Sequence, residues 1–289
     1  MLSDGLLLVD KPAGPTSHDV VAIVRRAFRT RRVGHAGTLD PFATGLLVVL
    51  VGYATRLAQF VSDLPKLYTG AIGLGTTTDT DDASGTPLRA SDAWRHLGDP
   101  AIAQAMQELT GARQQVPPAY SAKHVAGERA HRRARRGEAV TLHPVAVEIT
   151  RFDLTGRDGP FVRFAARVSS GTYIRSLARE LGELLGCGAH LASLRRHAVG
   201  PFVVEDAVAL DRGADVLREA LRPPQDAVRH LPAATVDEAA CLEIGHGRAV
   251  PVAAAAPGPA ALVAAADGRL VAIADVVGGE ARPRVVLAP

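Results

Sequence analysis

The run Val33-Gly34-His35-Ala36-Gly37-Thr38-Leu39-Asp40-Pro41-Phe42-Ala43-Thr44-Gly45-Leu46-Leu47 places one carboxylate, Asp40, in a short glycine-flanked loop between two apolar elements. A carboxylate in such a setting can serve as a nucleophile or a base. Pro41 biases Asp40 away from helical dihedrals and towards extended ones, which sets the acid at a fixed bend. Gly34, Gly37 and Gly45 allow tight bending or close approach to a ligand. Arg29, Arg31 and Arg32 lie just upstream and put cationic surface beside the lone acid. The combination suits a carboxylate that works on a polyanionic substrate. In isolation, His-x4-Asp in a Gly/Pro-punctuated loop would signal no more than a turn or helix cap.

The elements that must position this loop follow from apolar spacing. Residues 6–9 read as a short buried strand, and Asp10 to Pro15 turn the chain. Thr16 or Ser17 can then cap a helix whose apolar positions Val20, Val21, Ile23, Val24 and Phe28 recur at helical spacing. The continuous apolar run 46–51 suits a central strand. A helix over 54–61 and an alternating strand over 68–75 follow. The segment 76–85 is rich in Thr and Asp and reads as a solvated loop; Asp79, Asp81 and Asp82 lack the glycine and distal Glu of a calcium loop. A helix over 101–109, a break at Val116-Pro117-Pro118 and a basic amphipathic stretch over 128–136 come next. Strands over 145–154 and 161–168 precede a helix over 173–185 and a strand over 191–194. From about residue 231 the texture changes: a short helix over 236–244, a linker-like Ala/Pro stretch over 251–259, and small strands over 262–265 and 270–277 form a β-rich appendage.

At 289 residues the chain can hold one large domain or two unequal ones. Aromatics make up only 4%, so the core must be built from Leu, Val and Ala, and each Tyr merits individual scrutiny. The net charge of +3 is modest but clustered. Arg25, Arg26, Arg29, Arg31 and Arg32 form one group, Arg129, Arg132, Arg133, Arg135 and Arg136 a second, and Arg195, Arg196 and His197 a third. Such clustering is the electrostatic footprint of a phosphate-backbone binder. Cys187 and Cys241 show no metal-ligand or CxxC spacing and read as buried thiols of a reducing compartment. No signal peptide is apparent and no apolar run reaches the roughly 18 residues of a membrane span, so a cytoplasmic location with no membrane partner is expected.

Gly34-His35-Ala36-Gly37-Thr38-Leu39-Asp40-Pro41 followed by Ala43-Thr44-Gly45-Leu46 resembles the catalytic motif of the TruB family of tRNA pseudouridine synthases. Four more segments resemble that family in the same order: Leu8 to Ser17 with its Lys11-Pro12 pair, Lys66-Leu67-Tyr68, Val116 to Ala122, and Ser169 to Ala178. Ala189-His190-Leu191 to Arg196 follows, so the resemblance spans roughly 5–205. It implies an α+β pseudouridine synthase fold, with a mixed β-sheet flanked by helices and a small β-rich PUA-like C-terminal domain. The expected division is a catalytic domain over 1–230, carrying an RNA-binding insertion at about 113–143, and a C-terminal domain over 231–289.

The resemblance further implies isomerisation of the uridine at position 55 in the T-loop of tRNA. That reaction breaks the bond from ribose to uracil N1, turns the base and rejoins it through C5. It needs no redox carrier and no external energy source, in keeping with the lack of a recognisable nucleotide loop, so no cofactor and no metal are expected. tRNA is the implied partner; no protein partner is implied. Asp40 is the candidate catalytic carboxylate, and the resemblance places Arg175 as the cation that keeps it ionised. Tyr173 and Arg175 sit in the first turn of their helix and can reach the loop in front. Tyr68 is the candidate platform on which the extruded base stacks, and Leu194 lines the pocket. His35 is assigned to opening or holding the RNA loop. Lys11 either pins the loop of Asp40, touches phosphate, or does neither; it is grouped with the RNA-binding residues. Whether Asp40 attacks uracil C6 or ribose C1′, or first acts as a base on C2′, is left open. This chain departs from the family at Lys123-His124 and at His131, which bears on the RNA contacts of the insertion. Two rival classes remain: a non-catalytic tRNA-binding protein, and a glycosidase, which would need a second carboxylate about 5–10 Å away; no matched motif supplies one.

Overall fold

The computed structural model describes residues 4–120, 124–125, 128–129, 133, 136, 138, 142–252 and 257–287. The chain forms two compact units. One gathers Met1–Pro41, Gly45–Asp63 and Val199–Pro289, and the other gathers Phe42–Thr44 and Leu64–Ala198.

In the first unit the apolar strand Gly5–Lys11 pairs antiparallel with Thr44–Val51 and parallel with Val208–Ala209, which makes the sheet mixed. Both long strands are buried almost throughout, the pattern of strands covered on two faces. Val33–Ala36 pairs antiparallel with residues 48–51 of that strand, and so brings the start of the Asp40 loop onto the sheet. The helix Ser17–Phe28 begins with a reciprocal capping box: Thr16 Oγ1 accepts from the Asp19 N–H, and the Asp19 carboxylate accepts from the Thr16 N–H. Val20, Val21, Val24 and Ala27 from this helix share one core with Leu7, Val9, Leu47, Val49 and Val51. Each fully buried aliphatic side chain of this kind is worth about 1.5–3 kcal/mol. Arg29 ends the helix in the left-handed region at φ 51°.

The same unit contains a five-stranded sheet in the spatial order Ala233–Val236, Gly258–Ala264, Leu270–Val277, Glu280–Val286, Val250–Pro251. Its core is drawn from its own residues, among them Val236, Ile244, Leu262, Val271, Ala274 and Ala281. The strand Glu280–Val286 is unforeseen because Arg282-Pro283-Arg284 reads as a breaker. Proline tolerates this place at a β-bulge, where the register shifts between Ile273 and Ala274. The strand expected over 262–265 starts earlier, at Gly258, and Ala253 to Ala256 of the linker-like stretch lie outside the described residues.

In the second unit Ala189–Val199, Lys66–Leu74, Phe161–Val168, Val145–Asp158 and Gly111–Gln115 lie side by side in that order, with antiparallel pairing where Phe161–Val168 meets Lys66–Leu74 and Val145–Asp158. A Cβ on Gly70 would come within 2.2 Å of the Ser193 carbonyl oxygen and 3.0 Å of the Phe164 ring, so that strand crossing admits glycine for lack of space. The helices Asp99–Glu108 and Ile174–Leu184 belong to this unit.

Three expectations are corrected here. The segment 76–85 is not a solvated loop: Thr76–Thr78 pairs with Pro87–Ala90, and Asp82 is 4% exposed. The third cationic cluster is not wholly on the surface: strand alternation turns Arg196 inward to 1% exposure, while Arg195 and His197 are half-buried and Thr69 Oγ1 lies 2.7 Å from His197 Nε2. The basic stretch does not begin as a helix, since Glu128–Arg129 pairs antiparallel with His124–Val125. Arg133 is helical; Lys123, His131, Arg132 and Arg135 lie outside the described residues.

Candidate active site

The loop that carries Asp40 is fixed on both sides of the acid. On one side, the Leu39 N–H donates to Ser17 Oγ at 2.9 Å and the Ser17 hydroxyl lies 3.1 Å from the Leu39 carbonyl. On the other, the Pro41 carbonyl accepts from the Gly14 N–H at 2.8 Å and from Lys11 Nζ at 3.2 Å. Lys11 Nζ also donates to the carbonyls of Pro12 at 2.8 Å and Pro15 at 2.9 Å. Its side chain is fully buried. Of the tasks left open for Lys11, the bond to the Pro41 carbonyl corresponds to the pinning of the Asp40 loop. Asp40 itself is half-buried, and Arg25, Arg26, Arg29, Arg31 and Arg32 of the same unit are all exposed. His35 is half-buried on the strand Val33–Ala36, and its ring meets that of exposed His18 edge-on, with centroids 5.7 Å apart.

In the second unit Tyr173 caps the helix Ile174–Leu184 and Arg175 lies in its first turn, matching the expected helix to within a residue at either end. A cation there opposes the positive end of the helix macrodipole by about 0.3–1 kcal/mol. Arg175 is 7% exposed, and its guanidinium is met by Asp82 Oδ2 at 3.5 Å, the Thr80 carbonyl at 3.1 Å and the Tyr120 carbonyl at 3.0 Å. The other Asp82 oxygen closes a local turn by accepting from Thr80 Oγ1 at 2.8 Å, the Ser84 N–H at 2.9 Å and the Ser84 hydroxyl. One carboxylate therefore both organises the turn and compensates the buried arginine. Asp82 was missed in sequence because the polarity of its neighbours looks like solvation. The available signal was the Thr80-x-Asp82-x-Ser84 spacing, which lets short polar side chains bond their own backbone.

Asp81, beside it, takes the left-handed conformation at φ 61° and pairs with Arg179. Burial raises the Asp81 carboxyl above its ordinary pKa, and the nearby Arg179 guanidinium only partly offsets this. Burial likewise raises Glu180, which faces Arg113 at 3.2 Å.

Tyr68 stands on Lys66–Leu74 at 7% exposure and Leu194 on the adjacent strand at 8%. Lys66, which opens that strand, donates to the Leu64 carbonyl at 2.6 Å. The predicted residues thus gather into two sets: Lys11, His35 and Asp40 in one unit, and Tyr68, Tyr173, Arg175 and Leu194 in the other. Among the described residues no group of three or more His, Cys, Asp or Glu side chains is placed to hold a metal ion, and no helix is long and apolar enough to cross a membrane.

Comparison with known proteins agrees with these motifs. Residues 25–174 match the model of the TruB family pseudouridylate synthase N-terminal domain, and residues 175–229 match the tRNA pseudouridylate synthase B C-terminal domain. The chain is 47% identical to the tRNA pseudouridine synthase B of Thermobifida fusca (strain YX) over 99% of both chains. It is 46% identical to that of Arthrobacter sp. (strain FB24) over 100% of this chain and 98% of the relative. Among solved structures it is similar to a chain of a Cbf5-Nop10-Gar1 complex, with a TM-score of 0.77 and 28% identity over 99% of this chain and 86% of that one. It is also similar to a chain of an H/ACA RNP bound to a substrate RNA containing 2'-deoxyuridine, with a TM-score of 0.75 and 26% identity over 99% and 85% of the two chains.

Proposed function

Because this chain belongs to the TruB family of pseudouridylate synthases, we propose that it converts uridine to pseudouridine at position 55 in the T-loop of tRNA, with Asp40 as the catalytic carboxylate. The observation that carries the reading is the Asp40 loop: a half-buried acid clamped on both flanks by Ser17, Gly14 and Lys11, in a unit whose exposed arginines suit a phosphate backbone.

In this reading the target nucleotide leaves its stack, at a cost of a few kcal/mol, and its base stacks against Tyr68, which returns about 1–3 kcal/mol. Asp40 engages the flipped nucleotide, either through a bond to uracil C6 or ribose C1′ that breaks again before the product leaves, or by taking a proton from C2′ that it later returns. The bond from C1′ to N1 breaks, the base turns, the bond from C1′ to C5 forms, and the proton lost from C5 is balanced by one gained at N1. Arg175 keeps Asp40 ionised, and its own orientation comes from Asp82. Tyr173 orders the pocket, Leu194 lines it, and His35 holds the opened RNA loop. Residues 1–230 form the catalytic domain, with the insertion at about 113–143, and 231–289 a small PUA-like domain for RNA contact; the tRNA is engaged through its T-loop and stem. The enzyme works in the cytoplasm, where its tRNA substrate resides.

The test is incubation with an unmodified tRNA transcript followed by site-resolved pseudouridine mapping. Conversion confined to uridine 55 is expected. Failure to convert that uridine, or release of free uracil, would overturn the reading. With the exposed arginines on phosphates, tRNA affinity also falls steeply as salt rises.

A further inference from the structure

Gln115 ends the strand Gly111–Gln115, two residues before Pro117-Pro118, and is fully buried. Its Oε1 accepts from the Tyr173 N–H at 2.8 Å. Tyr173 is the cap of Ile174–Leu184, a helix that makes no side-chain capping bond of its own and has no acid in its first turn. The helix Ser17–Phe28 caps itself with Thr16 and Asp19; the helix of Arg175 borrows its cap from a strand 58 residues away in sequence. The residues that follow Gln115 bond the same helix. The Val116 carbonyl accepts from Ser176 Oγ at 2.8 Å and from Arg179 Nη2 at 2.9 Å, and the Tyr120 carbonyl accepts from Arg175 Nη2 at 3.0 Å.

The other end of the Gln115 amide is costly. Nε2 is buried and has no hydrogen-bond partner among the described residues, a situation that lowers stability. A methionine would fill the same space without that cost, so the side chain's contribution lies in its oxygen. We infer that Gln115 is a positioning residue for the reaction proposed above. Its Oε1 sets the place of Tyr173 and of the first helical turn, and thereby the place of the Arg175 guanidinium that Tyr120 and Asp82 meet. Displacement of a positioned group by about 1 Å can cost on the order of 100-fold in rate.

Two variants of the full chain separate this role from simple packing. Gln115→Met keeps the volume and removes the acceptor, whereas Gln115→Glu keeps an acceptor for the Tyr173 N–H and suits a helix N-terminus. On tRNA, Gln115→Met is expected to lower the single-turnover rate by about 10- to 100-fold with the tRNA Kd changed less than about 3-fold, and Gln115→Glu to return the rate to within about 3-fold of the native chain. A native rate in Gln115→Met, a Gln115→Glu as slow as it, or a Kd that weakens in step with the rate would overturn the inference. Amide hydrogen exchange reads the same bond without turnover. Exchange at Tyr173 should quicken by about 10-fold or more in Gln115→Met and stay native in Gln115→Glu. Unchanged exchange in Gln115→Met refutes the positioning role whatever the activity, while a native chain that makes no pseudouridine refutes the reaction and leaves the exchange result to stand by itself.

Discussion

The loop of Asp40 and the helix of Arg175 are secured from different distances along the chain. The bonds that flank Asp40 come from partners 22 to 30 positions away, all in the first strand, the turn after it and the first helix. The bonds that hold Arg175 and its helix cap span 55 to 95 positions and arrive from a buried turn, a strand end and the segment after it. The acid therefore rides on a rigid local frame that forms with its own neighbourhood. The cation depends on several distant segments being in place at once, so its orientation reports on the assembly of the whole second unit.

The sharpest way to break this comparison is at its two charged ends. Asp40→Asn preserves the loop's shape and is expected to lower pseudouridine formation by about 10³-fold or more, with tRNA binding retained; site-resolved mapping and a filter-binding Kd measure both. Product at the native rate would remove Asp40 from the chemistry. Asp82→Asn takes the Asp82 carboxylate away from the buried guanidinium of Arg175, with side-chain exposures of 8% and 5% for the pair. Loss of about 2–4 kcal/mol in unfolding free energy is expected, together with a rate that falls by about 10- to 100-fold. An Asp82→Asn protein as stable and as fast as the native one would show that the arginine keeps its place without Asp82.

A milder effect tests the rigid side. Lys11→Met removes an ammonium from three backbone carbonyls and should cost about 1–3 kcal/mol in urea unfolding. The salt dependence of tRNA binding should not change, because a fully buried side chain neutralises no phosphate. A shallower salt slope in Lys11→Met would return this lysine to the RNA surface. The smallest expected effect concerns Asp81, whose pKa burial raises. The folded chain then binds that proton more tightly than the unfolded chain does, so this contribution to stability is full below the unfolded pKa and is lost as pH rises through the folded pKa. Asp81→Asn should flatten the stability profile on the alkaline side of the ordinary carboxyl pKa, as urea midpoints would record. A profile parallel to that of the native chain would contradict the burial effect.

What could be read in the sequence follows the same division. The Asp40 loop, the helix Ser17–Phe28 and the strand Thr44–Val51 were legible because their signals are local: a proline after the acid, a capping residue, a run of aliphatics. The helix Ile174–Leu184 was legible for the same reason. Asp82 was not, because a Thr- and Asp-rich segment looks solvated until an arginine from far along the chain buries it. Arg196 was misread because three consecutive basic residues suggest a surface patch, whereas strand alternation turns the middle one inward. Gln115 gave no signal at all: its task exists only once Tyr173 has been brought beside it.

Pro41 has one more consequence. Aspartyl residues in long-lived proteins rearrange to isoaspartate when the next residue's backbone nitrogen attacks the side-chain carboxyl and closes a five-membered imide. Proline has no backbone N–H, so the residue that sets the bend at Asp40 also withholds the nucleophile for that damage. The same peptide linkage that shapes the loop keeps its acid from that rearrangement between turnovers.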